Sequence, residues 1–363
     1  MAAQKLCDLG MRVALIEQHN TLASGPSTRN EGWLHRGTYH AASIKDRRTA
    51  IQVARRCIYG HKQLRRFAPE AIEDDGVAPY AMIRDKNRID EVTSRWDEAE
   101  VRYKPVTINA IKNLAPGTDL DRAAAIFEVG DVSLNTRLLY RKLYTLARKA
   151  GCVFLMGYQI IKIDGQLAVF SNNDEQVTLE ARKFVYSAGT GTKDIFRTHH
   201  DIELAIRYWK SHLVVTQRLS KVGLFYLDSH EAAIMHHGDT SIIGLNEDAL
   251  LCTKPSYDVL PDRAANLKNA IRRIYPEWDA NKSIDIACTK VDLVTDLSES
   301  RSLNIAITEP ITGHVCVLPG KMTEAPYLTD ILTAYLHDHL DNPAISLRPC
   351  DHYVASLPSL QLS

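Results

Sequence analysis

Apolar and polar positions alternate between two periods along this chain. Val13, Ala14, Leu15 and Ile16 form an unbroken apolar run ending on Glu17, which predicts a parallel strand buried on both faces. Before it, Ala2, Ala3, Lys5, Leu6 and Leu9 recur at helical spacing and Gly10 closes that helix. Residues 46–68 read as a helix carrying Ile51, Val53, Ala54, Ile58 and Leu64, and 69–76 close it. Strands are predicted over 77–83, 105–114 (leading into a turn) and 123–129, with a helix over 86–101. A helix at 137–150 puts Leu138, Leu139, Leu143 and Leu146 on its buried side, Gly151 ends it, and a strand follows at 152–156. The run 184–186 ends in small residues before a helix opening at Lys193. Beyond it, strands are predicted over 213–217, 223–227, 232–237, 241–245 and 284–294, with one helix over 263–274 and a hairpin turn at Gly238-Asp239. The chain then gives a strand at 303–308, a buried strand at 315–318, a break at 319–323 and a helix over 324–340.

With 363 residues the chain can bury a large core, as two domains or one interleaved α/β unit. Lys plus Arg equal Asp plus Glu at 44 each, so no general attraction to nucleic acid or an acidic membrane is expected. Arginine pairs such as Arg47-Arg48 and Arg65-Arg66 read as solvated helix faces. No apolar run approaches the ~20 residues of a membrane span, and Lys5 and Asp8 interrupt the first helix, which excludes a signal peptide reading. The seven cysteines lie far apart with no C-x-x-C pair. Disulfides and zinc are therefore not expected, and a reducing cytosol is the default. The pairs His199-His200, His236-His237 and His337-x-His339 lack acids and further histidines at ligand spacing, so they read as solvated or locally bonded.

Candidate chemistry concentrates after the first strand. An acid at such a strand end can accept hydrogen bonds from the ribose hydroxyls of an adenine dinucleotide; the plain alternative for Glu17 is a solvated carboxylate. Next come Ser24, Gly25, Ser27, Thr28, Arg29, Asn30, Gly32 and Gly37, with Trp33, Leu34 and His35 among them. A loop around a pyrophosphate and a flat ring uses all of these: hydroxyls and backbone N–H groups for phosphate, Arg29 for charge, small residues where a ring lies against the chain.

Strand, acid and then A-S-G-x-S-x-R-N-x-G-x-L-H-x-G-x-Y-H resembles the second flavin-binding segment of the FAD-dependent oxidoreductases of the D-amino-acid oxidase superfamily. The wording is nearest to the glycerol-3-phosphate dehydrogenase and L-2-hydroxyglutarate dehydrogenase branches. The strand running into Ala188-Gly189 resembles that family's second dinucleotide-contacting turn. Gly320-Lys321-Met322-Thr323 resembles its closing G-G-K-x-T segment, with Pro319 in place of the first glycine. In such folds a strand and a G-x-G-x-x-G turn precede the first helix; the residues here open inside that helix, and much of the phosphate binding would come from the turn.

The resemblance implies an α/β fold: a Rossmann-like FAD-binding domain, lacking its first strand and glycine turn, interleaved with an α+β substrate domain on a mixed sheet. The FAD-binding part would comprise 1–76, 130–201 and 303–345, the substrate part 77–129 and 202–302, and 346–363 would form a tail. FAD would be held by Glu17, Ser24, Ser27, Thr28, Arg29, Asn30, Gly32, a backbone amide near Ile161, Ala188, Gly189, Gly320, Lys321, Met322 and Thr323. Lys321, at a helix start, would face the flavin edge where negative charge develops. His35 is the first candidate for a group beside the ring, and Arg301 for contact with an anionic substrate. Lys290 stands where relatives tend to carry a further arginine motif, a departure that bears on a phosphate-bearing substrate. The implied activity is removal of a hydride from a small anionic hydroxy compound, a 2-hydroxy acid or glycerol-phosphate-like molecule, with transfer to an unknown electron acceptor. Alternatives are an amino-acid or amine oxidase on the same fold, or a cofactor-poor relative without catalysis.

Overall fold

The computed structural model describes residues 1–341 except 74–75, 247–248, 295–302, 304 and 319. Helix α1 (Ala2–Asp8) leads into β1 (Ala14–Glu17), and β2 (Trp33–Leu34) precedes α2 (Thr38–Ser43) and the long α3 (Arg47–Phe67). The Asp46 carboxylate caps α3 by accepting from Thr49 N at 2.8 Å, satisfying one of the free N–H groups of a helix start. Its buried face is built from small residues, Ala50, Ala54, Cys57 and Gly60, together with Ile51, Val53, His61 and Leu64. Small side chains allow close approach there.

After α3 come β3 (Ile72–Glu73), β4 (Tyr80–Ile83), α4 (Ile89–Ala99) and β5 (Tyr103–Val106). The strand expected over 105–114 stops at Val106, and α5 (Ile108–Lys112) replaces its second half. Ile111 there is fully buried against Leu120 and Ile271, so packing on a single apolar side overrides the local strand pattern. Strands β6 (Ala125–Val129) and β7 (Val132–Leu134) follow, then α6 (Thr136–Lys149), capped by Asn135. Leu139 of α6 is buried as expected, but Leu138 is 39% exposed; adjacent helical residues point about 100° apart, and only one of the two faces inward.

Next are β8 (Val153–Met156), β9 (Gln159–Asp164), β10 (Leu167–Ser171), β11 (Gln176–Glu180), β12 (Phe184–Tyr186) and α7 (Thr192–His200). A strand-rich stretch follows: β13 (Ile206–Gln217), β14 (Leu224–Tyr226), β15 (Ala232–His237), β16 (Thr240–Leu245), β17 (Leu250–Cys252), α8 (Pro261–Arg272) and β18 (Ser283–Leu293). The described chain ends with β19 (Ala306–Ile311), β20 (His314–Leu318) and α9 (Ala325–Asp341). Gly238, at φ +56°, turns β15 into β16 with His237 opposite Thr240, as the glycine predicts.

The largest sheet has nine strands in the order β17-β13-β16-β15-β14-β4-β6-β5, with β18 also pairing along β13. It collects strands from 80–129 and from 206–293, two stretches separated by α6, α7 and β7 to β12. Apolar side chains from both stretches, including Met82, Ile126, Leu224, Ile234 and Ile243, share one core with α8.

The parallel pairing lies elsewhere. β1 pairs in parallel with β8, and β12 in parallel with β20, but these pairs belong to separate sheets. The expectation of a strand buried on both faces is therefore met only in part: in β1, Ala14 is exposed and Leu15, Ile16 and Glu17 are half-buried. The two pairs are joined by side chains instead. Ile16 and Phe184 both pack on the cluster of Tyr158, Ala168 and Phe170, and Val13 packs with Val315 and Val317 under α9.

Candidate functional site

β2 and α3 build the centre of the site. β2 carries Trp33 and Leu34 inward and delivers His35 next to a buried acid, Asp131, in the link between β6 and β7. The Asp131 carboxylate is fully buried and accepts from Trp33 Nε1 (3.1 Å), from Arg36 N (3.0 Å) and from the Thr38 hydroxyl. These donors stabilise its charge, yet burial outweighs them and raises its pKa. His35 Nδ1 lies 3.8 Å from Asp131 Oδ1 and is a buried nitrogen with no hydrogen bond. Its ring sits 4.5 Å from Trp33 and 4.4 Å, edge on, from His40. Burial, then the charges of Lys321 and Lys290 and the neighbouring His61, hold the His35 pKa well below the usual histidine value. The imidazole is thus neutral at pH 7, a proton acceptor beside a carboxylate and two ammonium groups.

The closing turn docks on β2 and α3. His35 N donates to Thr323 Oγ1 at 3.1 Å, and that hydroxyl reaches Trp33 O at 3.5 Å. Gly60 makes the contact possible: a Cβ added there would lie 1.7 Å from Thr323 O. Met322 packs in the cluster of Leu34, Leu64 and Leu139. Gly320 leaves no room either, since its Cβ would meet Leu303 O at 2.5 Å. Lys321 Nζ lies 3.2 Å from Glu324 Oε2 and 3.4 Å from Leu303 O. Glu324 is fully buried and also pairs with Arg56 at 2.7 Å. Two cations on one carboxylate leave a net positive charge in this corner.

Residues 24–32 form a self-bonded loop. Thr28 Oγ1 donates to Ala23 O (2.7 Å), Ser24 Oγ to Thr21 O (2.9 Å), and Asn30 Nδ2 to Ser27 O (2.8 Å) while its Oδ1 accepts from Gly32 N (2.8 Å). Ser27 hydrogen-bonds Tyr140 of α6, and the Arg29 guanidinium sits 4.9 Å over the Tyr257 ring. The loop turns through Pro26–Thr28, which packs on α6 and on β18. β18 also meets the turn Gly189–Gly191, and Lys290 on β18 lies 3.8 Å from the Glu31 carboxylate. Trp209 stands opposite Lys290 across the ladder with β13, and its Nε1 donates to Asp292 at 2.8 Å.

Strand β18 thus brings together the loop 24–32 and the turn Gly189–Gly191, and the closing turn sets residues 321–323 against His35. Glu17 is half-buried at the end of β1, its Oε1 accepting from His19 N at 2.9 Å. Ile161, on β9, is 51% exposed. Ala188 and Gly189 follow β12, and Gly189 adopts φ +56°. Arg301 lies outside the described residues.

Sequence reading singled out His35, Lys321 and Thr323, but not Asp131, Glu31, His61, Thr38, Glu324 or Gly60. An aspartate between a predicted strand and the helix that follows it was the one available signal, since a carboxylate drawn into the interior must have its charge satisfied. Glu31 lies in the loop before β2, and the other residues belong to helical segments whose neighbours are distant in sequence.

A flavin dinucleotide would meet open backbone at two of these turns. A Cβ added at Gly25 or Gly189 would meet nothing within 4 Å, leaving free space along both turns, and the buried, unbonded His35 Nδ1 marks polar capacity at the opposite end. Among the described residues no group of three or more His, Cys, Asp or Glu side chains could hold a metal ion, and no helix is long and apolar enough to cross a membrane.

Comparison with known proteins agrees on family. Residues 1–303 match the family described as FAD dependent oxidoreductase. No curated protein matches the sequence. Among solved structures, the glycine oxidase from Geobacillus kaustophilus is 16% identical with a TM-score of 0.69, covering 96% of this chain and 94% of that one. The L-alpha-glycerophosphate oxidase from Mycoplasma pneumoniae, with FAD bound, is 15% identical with a TM-score of 0.72, over 93% and 91%. The glycerol-3-phosphate dehydrogenase from Bacillus halodurans, complexed with FAD, is 14% identical with a TM-score of 0.67, over 94% of this chain and 62% of that one. The matched span, most of the chain, places it in the family of FAD-dependent oxidoreductases, enzymes whose cofactor is FAD.

Proposed function

We propose that the chain oxidises a small anionic hydroxy compound, a 2-hydroxy acid or a glycerol-phosphate-like molecule, and passes the electrons to a separate acceptor. The observation that carries this reading is the His35 imidazole 3.8 Å from the buried Asp131 carboxylate, kept neutral by burial and by the charges of Lys321 and Lys290. FAD, when bound, supplies the hydride-accepting ring. Glu17, Ser24, Ser27, Thr28, Arg29, Asn30, Gly32, Ala188, Gly189 and the backbone near Ile161 would hold it, with Gly320, Lys321, Met322 and Thr323 at its ring end.

The residues around His35 then divide the proton chemistry. With the ring proton on Nδ1, Nε2 would be the lone pair that accepts the hydroxyl proton, and the imidazolium so formed would lie 3.8 Å from a buried carboxylate. Lys290 and Lys321 disfavour that imidazolium in the absence of a ligand. An anionic substrate beside them offsets their charge, so binding readies the base. Arg301 is a further candidate for the substrate anion.

The neighbours named above include an oxidase of glycine and an oxidase of glycerophosphate, and the test separates these classes. The purified chain is incubated with FAD, washed and scanned. Retained absorbance near about 450 nm, a property of the flavin itself, is expected. A panel of 2-hydroxy acids, glycerol 3-phosphate and amino acids is then offered with a dye acceptor or with oxygen. Bleaching by a hydroxy compound and dye reduction support the proposal. Peroxide released from an amino acid assigns the amine chemistry instead, and a chain that stays colourless with FAD is a relative without catalysis. The free thiols of the six described cysteines suit a reducing compartment such as the cytosol.

A further inference from the structure

His237 ends β15, where the hairpin to β16 meets the loop that leads into β2. Its Nδ1 lies against the Glu73 carboxylate, and its Nε2 is 2.8 Å from the Glu31 carbonyl oxygen. Glu73 is fixed in turn, its other oxygen accepting from Asn135 Nδ2 at 3.1 Å. Both partners of the ring are acceptors: a carbonyl oxygen has no proton to give, and neither has an ionised carboxylate. A neutral imidazole owns one N–H and would set its remaining lone pair against an acceptor. Only the doubly protonated ring donates to both.

The packing is as specific as the bonding. A Cβ added to Gly32 would lie 2.5 Å from His237 Cε1, and Gly32 sits at φ +58°, which side chains rarely adopt. The Gly32 carbonyl accepts from Leu134 N at 2.7 Å, holding the same peptide to β7. Beyond the peptide, the Glu31 carboxylate reaches Lys290 on β18. Polar contacts through Glu73, His237, Glu31 and Lys290 thus cross from β3 through the loop to the nine-stranded sheet.

Resting on the redox reading above, we infer that His237 is a positioning residue: an imidazolium clamped between Glu73 and the Glu31 carbonyl. It fixes the peptide from which β2 carries Trp33 and His35 into the centre. It also holds Glu31 toward Lys290, so that the loop 24–32 keeps a single path past the cofactor. The groups that face the ring are Glu73 from β3 and the Glu31 carbonyl from the loop, with the Glu31–Lys290 pair behind them.

The test uses the full chain with FAD, as wild type, His237→Ala, His237→Gln and Glu73→Gln. In histidine-labelled wild type, a nitrogen spectrum at pH 7 should show a ring protonated at both nitrogens, absent from His237→Ala and neutral in Glu73→Gln. Fluorescence quenching of added FAD should show about tenfold weaker binding to His237→Ala, the loss of one charge-assisted bond. His237→Gln should lose less, because its amide can still donate to the Glu31 carbonyl, and it carries the measurement if the alanine variant does not fold. FAD affinity should weaken with rising pH in wild type and stay flat in His237→Ala, a difference that a merely space-filling residue would not produce. A neutral ring in wild type, or unchanged FAD affinity and pH dependence in both His237 variants, overturns the inference. If wild type takes up no FAD the redox reading fails, while the nitrogen spectrum still decides the clamp.

Discussion

The two ends of the proposed cofactor site are built in opposite ways. At the nucleotide end, Glu17, Ser24, Thr28 and Asn30 spend their hydrogen bonds within their own loop, and Gly25 and Gly189 border open space. At the ring end, Asp131, Thr323 and Glu324 are buried and His35 is largely so, all held across elements and packed without spare volume around Gly60. A phosphate chain can be met by backbone and small residues that stay solvated until it binds. A reacting carbon requires groups whose charge and position are fixed beforehand, and only a buried, cross-linked corner supplies that.

The contrast is broken most severely at Glu324. Replacing it by glutamine leaves Arg56 and Lys321 without their shared carboxylate, and the expected loss is about 3 to 5 kcal/mol in urea unfolding. A change within 1 kcal/mol would mean that the two cations find other partners, and the ring end would lose its claim to being preorganised. Next comes Gly60→Ala, which drives a methyl into the Thr323 carbonyl; roughly 3 kcal/mol should be lost. FAD uptake should fall with it, because the closing turn must lift from α3. Wild-type stability in this variant would show that α3 and the turn are not tightly apposed.

A smaller, graded effect comes from pH. Burial holds His35 well below the ordinary histidine range, and His61 and His314 at about 4. In the unfolded chain these rings protonate near ~6.5. Between that value and their folded values the unfolded state binds more protons, so stability falls as pH falls from about 6.5 toward 4. Thermal unfolding between pH 7 and 5 measures this. His61→Gln and His314→Phe should each flatten the slope, and a melting temperature that is level across the range contradicts neutral burial. The smallest effect on folding is expected at Glu17. Glu17→Ala should change stability by under about 0.5 kcal/mol, since the half-buried carboxylate makes only a local bond to His19 N. Its effect should appear in FAD affinity, where the ribose loses an acceptor; equal FAD affinity removes Glu17 from the site.

Legibility differed between the ends for the same reason. The nucleotide-end motif is contiguous, a strand, an acid and a loop of small polar residues within residues 13–37, and local pattern is enough to suggest its chemistry. The ring end is assembled from β2, the β6–β7 link, α3 and the closing turn. Asp131 and Gly60 acquire meaning only beside Trp33 and Thr323. The strand expected over 105–114 gave way to a short helix because Ile111 follows the core on one side of it, information absent from neighbouring residues.

By itself the sequence determined the alternation of strands and helices, the glycine turns and the polar loop after Glu17, since these depend on periodicity and on backbone freedom within a few residues. Tertiary structure decided that β1–β8 and β12–β20 pair separately. It also brought the Cys7 thiol within hydrogen-bonding reach of Cys152, and set His35 and His237 each against a carboxylate distant in sequence. Burial and charge pairing depend on what lies across a contact, and residues far apart along a chain carry no local sign of each other.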